Sequence, residues 1–345
     1  MDLEIALLLG QDGIVNGAVY ALLALALVLV FTVTRVIFIP QGEFVAFGAL
    51  TLATLQAGGA PGTLWLLLGL GAAVAVTDIV MALKSGRHRR IPYTILWNLL
   101  FPLALVALAF YAHPQAWPLV FQVLLALAIV VPLGPMVYRL AFQPLAEASV
   151  LVLLIVSVAV HTTLVGLGLL FFGAEGSRTT SFSDASFDLG GVAFSGQSLW
   201  VVAASGVLIV VLYFFFDRTL YGKALRATAM NRTGARLMGI STTMAGKLSF
   251  LVAALIGAFS GVLLAPMTTV YYDTGFLIGL KGFVAAIIGG LVSYPLAAAG
   301  AILVGLLESF SSYWASAFKE VIVFTLIIPV LMWRSLTTRQ VEEEE

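Results

Sequence analysis

Residues 199–269 read LWVVAASGVLIVVLYFFFDRTLYGKALRATAMNRTGARLMGISTTMAGKLSFLVAALIGAFSGVLLAPMTT. Two apolar runs, 199–216 and 248–269, enclose a polar interval, 221–247. That interval carries Lys223, Arg226, Arg232, Arg236 and Lys247 and no acidic residue. About 20 apolar residues in a helix cross a bilayer core, so each run is a candidate span. Loops rich in Lys and Arg stay in the cytoplasm, which puts 221–247 on the inside. Its middle has helical spacing. Met230, Gly234, Leu237 and Met238 fall at i, i+4, i+7 and i+8 and predict one apolar face. Arg232 and Arg236, four apart, share another face, and Gly239 offers a C-terminal stop. Ala, Thr, Gly and Met dominate, with no aromatic after Tyr221. A lipid-surface helix would set bulky aromatic or Leu residues against a basic face. These smaller side chains favour docking into a protein groove.

The rest of the chain extends this reading. Of its 345 residues 61% are hydrophobic and 10% charged, an apolar excess that a soluble domain does not bury. The runs do not alternate apolar with polar, so a helical membrane protein is expected and an outer-membrane barrel is not. Acidic and basic residues balance at 17 each, which offers no long-range attraction to nucleic acid. There is no cysteine, so disulfides, thiolate metal sites and cysteine nucleophiles are excluded. His88, His113 and His161 lack metal-ligand spacing. The first residues lack the basic start of a cleaved leader, so the first span is expected to stay.

Taken in order, apolar runs at 14–34, 36–57, 64–83, 94–112, 117–138, 149–172, 199–216, 248–269, 279–292, 295–313 and 321–333 predict about eleven membrane segments. The run at 279–292 is short and Gly-rich, hence a candidate re-entrant or broken helix. The expected architecture is therefore an all-α polytopic bundle, 1–345, forming a single domain. With the N-terminus outside, the outer loops receive only Arg178, Lys281 and Lys319 of the 17 Lys and Arg residues, and the C-terminus is cytoplasmic. The polar interval 174–196, with Glu175, Asp184 and Asp188, becomes an outer (periplasmic) loop, and the tail 341–345 a solvated inner end. Gly257 and Gly261, and Gly300 and Gly305, suit close helix packing. Gly289 and Gly290 break the ninth segment, either for packing or to line a pathway.

Catalytic chemistry finds no foothold. No GxxxxGK[ST], HExxH or GxSxG pattern occurs, so no nucleotide, metal or acyl-enzyme site is expected in this chain. His161, alone in its span, reads as a hydrogen-bonding residue of the bundle. Charges inside apolar spans are costly and hence few. Glu43 is placed near the cytoplasmic start of the second span, Asp78 near the inner end of the third beside a basic loop, and Glu308 at depth. So small a number of carboxylates argues against ion coupling.

Three blocks resemble one known family. In 221–241 a Gly-x-x-hydrophobic-Arg-Ala start and an Ala-Arg-x-x-Gly-Ile end match through Gly222, Arg226, Ala227, Ala235, Gly239 and Ile240. Near the N-terminus, Asn16, Gly17, Tyr20, Ala21, Leu22, Arg35, Gln41, Gly42, Glu43, Gly48 and Ala49 match. Later, Gly289, Gly290, Gly300, Gly305 and Glu308 match. The blocks stand in family order, and the chain resembles permease subunits of branched-chain amino acid ABC importers. Two departures stand out. Phe38, Ile39 and Pro40 replace the usual Asn-Phe-Ala, and 84–117 is longer than usual, which implies extra helices.

The resemblance implies a permease half in the bacterial inner membrane, paired with a second permease. Two ATPase subunits, which supply ATP and Mg, would grip a coupling element that includes Arg226, Ala227, Met230, Arg232, Gly234, Ala235, Arg236 and Gly239. An external binding protein would deliver a branched-chain or related hydrophobic amino acid. A pathway bordered by Gln41, Gly42, Glu43, Gly289, Gly290 and Glu308 is expected. An ion-coupled secondary transporter of a small apolar solute, using Glu308 or Glu43, is the alternative. A channel or scaffold comes third.

Overall fold

Helix boundaries follow from local chemistry. The first helix, α1 (Leu3–Thr34), stops where Arg35 takes a left-handed conformation (φ 62°). Pro40, which lacks an N–H and disfavours helix in the residue before it, then opens α2 (Gln41–Gln56). The single span expected over 36–57 is therefore a non-helical stretch, 35–38 leading into a turn, followed by a short helix. This computed structural model describes residues 3–337 apart from 87, 184, 190 and 191. Arg87, Asp184, Arg339 and the tail 341–345 lie outside the described residues.

The remaining helices are α3 (Thr63–Lys84), α4 (Ile91–Ile95), α5 (Phe101–Tyr111), α6 (Leu119–Val130), α7 (Leu133–Val137), α8 (Val150–Phe172), α9 (Gly196–Arg218), α10 (Leu220–Met230), α11 (Arg232–Leu237), α12 (Thr242–Leu264), α13 (Thr274–Ile288), α14 (Tyr294–Trp314), α15 (Lys319–Thr325) and α16 (Ile327–Thr337). A wide-turn segment, Leu96–Leu100, joins α4 to α5 into one apolar rod, Ile91–Tyr111. Another, Tyr138–Phe142, extends α7. Among the described residues, eight stretches are long and apolar enough to cross a membrane, the last being Tyr294–Trp333. In that stretch α15 and α16 fold back beside α13, so it makes two passes. With the short α2 and α13, the all-α bundle has the expected number of segments.

The interval 174–196 is not wholly irregular. β1 (Ser186–Leu189) and β2 (Val192–Ser195) pair antiparallel, with Ser186 opposite Ser195. Ser195 then caps α9 by accepting from the Ser198 amide at 3.2 Å. Arg178 ties the loop down by donating to the carbonyls of Pro266 and Met267.

α1 and α2 are sunk in the core and covered by α12, α13 and α14. Small residues set those contacts. A side chain at Gly261 would meet the Val45 carbonyl, and one at Gly305 would meet Gly13 and Gly17. Where lipid is as apolar as the helices, close backbone approach is what makes association favourable.

Two chain segments repeat one plan in opposite directions. A long helix (α1 or α12) is followed by a non-helical stretch (35–40 or 265–273) and a short helix (α2 of 16 residues, α13 of 15). α2 runs towards the hairpin face, where Gln56 Oε1 accepts from the Thr180 amide. α13 runs towards the face that carries α10 and α11, since the next helix starts at Tyr294 beside Phe216 (6.2 Å between rings). The N-terminal ends of α2 and α13 meet inside the bundle.

Candidate functional site

The meeting point is built from glycine. A Cβ on Gly42 would strike the Gly275 carbonyl, and one on Gly275 would strike that of Gly42. Only backbones fit here, because any side chain would push the two helices apart. His161, eleven residues from each end of α8, marks the depth, about 16 Å along the helix from either end. Its Nδ1 lies 2.8 Å from Glu43 Oε1, and its ring stacks on Phe276 of α13 at 4.5 Å and 29°. Glu43 therefore sits at mid-bundle, not near a cytoplasmic helix start. The segment before it is non-helical and drops the start of α2 into the membrane.

Polar groups around this crossing are buried and partly satisfied. Gln41 is fully buried and its Nε2 donates to the Ala253 carbonyl of α12 at 2.9 Å. Ser157 Oγ accepts from the Ile39 amide at 3.0 Å, which satisfies part of the non-helical stretch. On the α10–α11 side, Phe38 packs against Phe250 (4.6 Å), itself in contact with Tyr138 and Phe142. This aromatic cluster seals the crossing from that side.

The other predicted pathway residues lie elsewhere. Gly289 and Gly290 terminate α13 in a turn in which the Gly290 and Leu291 amides donate to Ile287 and Ala286. Glu308 belongs to a separate ionic cluster. Lys281 Nζ lies 2.6 Å from Glu308 Oε1 and 3.1 Å from Glu320 Oε1, and Tyr20 donates to Glu308 Oε2 at 2.5 Å. Lys281, counted as an outer-loop residue in the orientation argument, is thus a buried partner on α13 (5% exposed). The signal was in the sequence: one lysine inside an apolar run needs a counter-charge. His161 as the partner of Glu43 had no such local signal. Asp78 pairs with Arg139 at 2.6 Å.

The polar interval expected to do the coupling holds two short helices, α10 and α11. Asn231 (φ −150°, ψ 101°) breaks it and its Oδ1 accepts from the Gly234 amide at 2.8 Å. The single helix with one apolar face through Met230, Gly234, Leu237 and Met238 is corrected accordingly, since an Asn that caps the next helix cannot also continue the last one. Gly239 (φ +80°) ends α11, with Ile240 N–H donating back to Ala235. Arg232 donates to the Ala146 carbonyl (3.2 Å), and Arg236 reaches Thr242 Oγ1 (3.2 Å) and Glu147 (3.5 Å). Arg35, Ala146, Glu147, Arg232 and Arg236 line a cavity of about 340 Å³. Ala235 is buried and Ala227 half-buried, whereas Arg226 pairs at the surface with Asp217. The arginines therefore pin α11 to the bundle, and Met230, Leu237 and Met238 stand more than four-fifths exposed.

Known proteins are similar to this chain in sequence. It is similar to the high-affinity branched-chain amino acid transport system permease protein LivH of Escherichia coli K12, at 29% identity over 60% of this chain and 70% of the relative. The permease protein BraD of Pseudomonas aeruginosa is 29% identical over 63% of this chain and 74% of its own. A probable LivH permease of Methanocaldococcus jannaschii is 31% identical over 52% and 59%. The family described as branched-chain amino acid transport system / permease component matches residues 99–331, more than half of the chain. This polytopic helical membrane protein belongs to that permease-component family.

Proposed function

We propose that the chain is one membrane half of an ATP-driven importer for branched-chain or related hydrophobic amino acids. The observation that carries the coupling role is α10–α11, a pair of short helices that expose Met230, Leu237 and Met238 while arginines pin their other side. An amphipathic helix pair anchored on one face and apolar on the other suits a protein groove. The groove would belong to an ATPase subunit, which would carry ATP and Mg and perform the hydrolysis. A second, related permease would complete the membrane part, and an external binding protein would deliver cargo. The complex would sit in the bacterial inner membrane with the N-terminus of this chain outside and the C-terminus cytoplasmic.

Motion of the ATPases would reach the mid-membrane crossing through contacts already described. α11 holds the first turn of α12 through Arg236 and Thr242, and α12 holds Gln41 through Ala253. A rigid shift of α12 would therefore move the start of α2 against α13. The ion-coupled alternative loses one of the two carboxylates it would use, because Glu308 is engaged by Lys281 and Tyr20.

The test is co-purification of the tagged chain from its native membrane with mass spectrometry of what elutes. Two ATPase subunits and a second permease are the expected outcome. A homo-oligomer without ATPase would overturn the importer reading.

A further inference from the structure

At the α2–α13 crossing, two buried acceptors have no donor among the described residues: Glu43 Oε2 and Gln41 Oε1. Glu43 is 1% exposed and Gln41 0%. A buried polar atom left unpaired is costly, and native proteins keep few of them. Both belong to the first turn of α2, beside Gly42 and its contact with Gly275. Gln41 turns to α12 and Glu43 to α8, and the unpaired carboxylate oxygen of Glu43 calls for a group that only donates. An ammonium has three N–H donors, no acceptor and the opposite charge to Glu43.

A second property of the crossing completes the match. α2 and α13 both begin there, and neither start has a side-chain cap. α3 and α6 also start without one, whereas α8, α9, α10, α11, α12 and α14 are capped by Ser149, Ser195, Thr219, Asn231, Ser241 and Ser293. Two helix N-termini point partial positive charge at the same place, which suits a carboxylate. Around them stand Phe44, Phe276 and Phe38, which suit an apolar side chain.

We propose that Glu43, at the Gly42–Gly275 crossing, forms the mid-membrane seat for the ammonium group of an α-amino acid cargo. The proposal rests on the amino-acid reading above. His161 is the positioning residue: it holds Oε1 of Glu43 and leaves Oε2 for the cargo. The touching glycine backbones are the closed state of the seat, and cargo takes their place when α2 and α13 part. The permease thereby checks the amino group after the external protein has released the cargo, so an apolar acid without that group is not passed on.

The experiment uses the whole complex in proteoliposomes, with ATP and the external binding protein, and follows radiolabelled L-leucine. Glu43→Gln keeps the shape and removes the charge. It is expected to lower uptake by about tenfold or more, with Glu43→Asp retaining part of it. Equal uptake by Glu43→Gln and the unaltered complex overturns the seat and leaves the amino-acid reading standing. No leucine uptake by the unaltered complex overturns both. Uptake driven by a proton gradient without ATP would make Glu43 and His161 a proton relay instead, and likewise overturns the seat. A second measurement does not depend on the folding of Glu43→Gln. The chain has no cysteine, so Thr274→Cys, beside Gly275 at the start of α13 and outside the seat, supplies its one thiol. Leucine during turnover is expected to slow labelling of that thiol by a small cationic thiosulfonate several-fold. An unchanged labelling rate overturns the proposal.

Discussion

Lys281 illustrates how single residues behave in this protein. Its ammonium is shared by Glu308 and Glu320, and Tyr20 takes the remaining oxygen of Glu308. Removing one partner of a buried pair strands the other charge, at a cost of about 3–5 kcal/mol, whereas replacing both by apolar groups is often close to neutral. Lys281→Met is therefore expected to lower the Tm of the detergent-purified chain strongly. Lys281→Met combined with Glu308→Leu should recover part of the loss. If the double variant is as unstable as the sum of the two single ones, the pair is not coupled. The requirement for a partner could be read from the lysine's apolar surroundings. Which residue supplies it could not, because Glu308 is 27 positions away and Tyr20 lies at the other end of the chain.

At the scale of elements, α10 and α11 divide the labour that the sequence pattern assigned to one helix. Asn231 is the hinge and the cap. Asn231→Ala should cost about 1 kcal/mol of local stability. It would appear as faster hydrogen exchange over residues 232–237, with spanning helices unchanged. Met238→Asp with Leu237→Asp alters only exposed positions. The pair should reduce the ATPase that co-elutes while leaving the Tm of the chain where it was. Undiminished ATPase would place the docking surface elsewhere. The amphipathic spacing was legible, but the break was not. Helical periodicity continues across Asn231, and only the backbone conformation there shows that the chain turns.

For the whole molecule, the distribution of basic residues sets an orientation that chemistry can check. In the naturally cysteine-free chain, Glu4→Cys should react with an impermeant maleimide added outside intact cells, and Met238→Cys only after lysis. The reverse pattern would invert the topology. Moving Lys281 from an outer loop to a buried pair on α13 leaves the bias standing, since it takes one residue from the minority side. The opposed α1–α2 and α12–α13 units explain why two segments are too short to span. Each runs only from the crossing to one face, and their non-helical lead-ins are tolerated at that depth because protein surrounds them.

The sequence by itself determined the helical membrane class, the run of segments, the basic polar interval and the family blocks. Those properties are local: hydropathy, charge and caps accumulate along the chain and need no knowledge of neighbours. Only the tertiary structure decided that α2 begins inside the membrane against α13, that Glu43 meets His161 from 118 positions away, and that Lys281 holds Glu308. Those pairings depend on which helices lie side by side. That choice is made by glycine-sized contacts such as Gly42 with Gly275, whose partners no periodicity reveals.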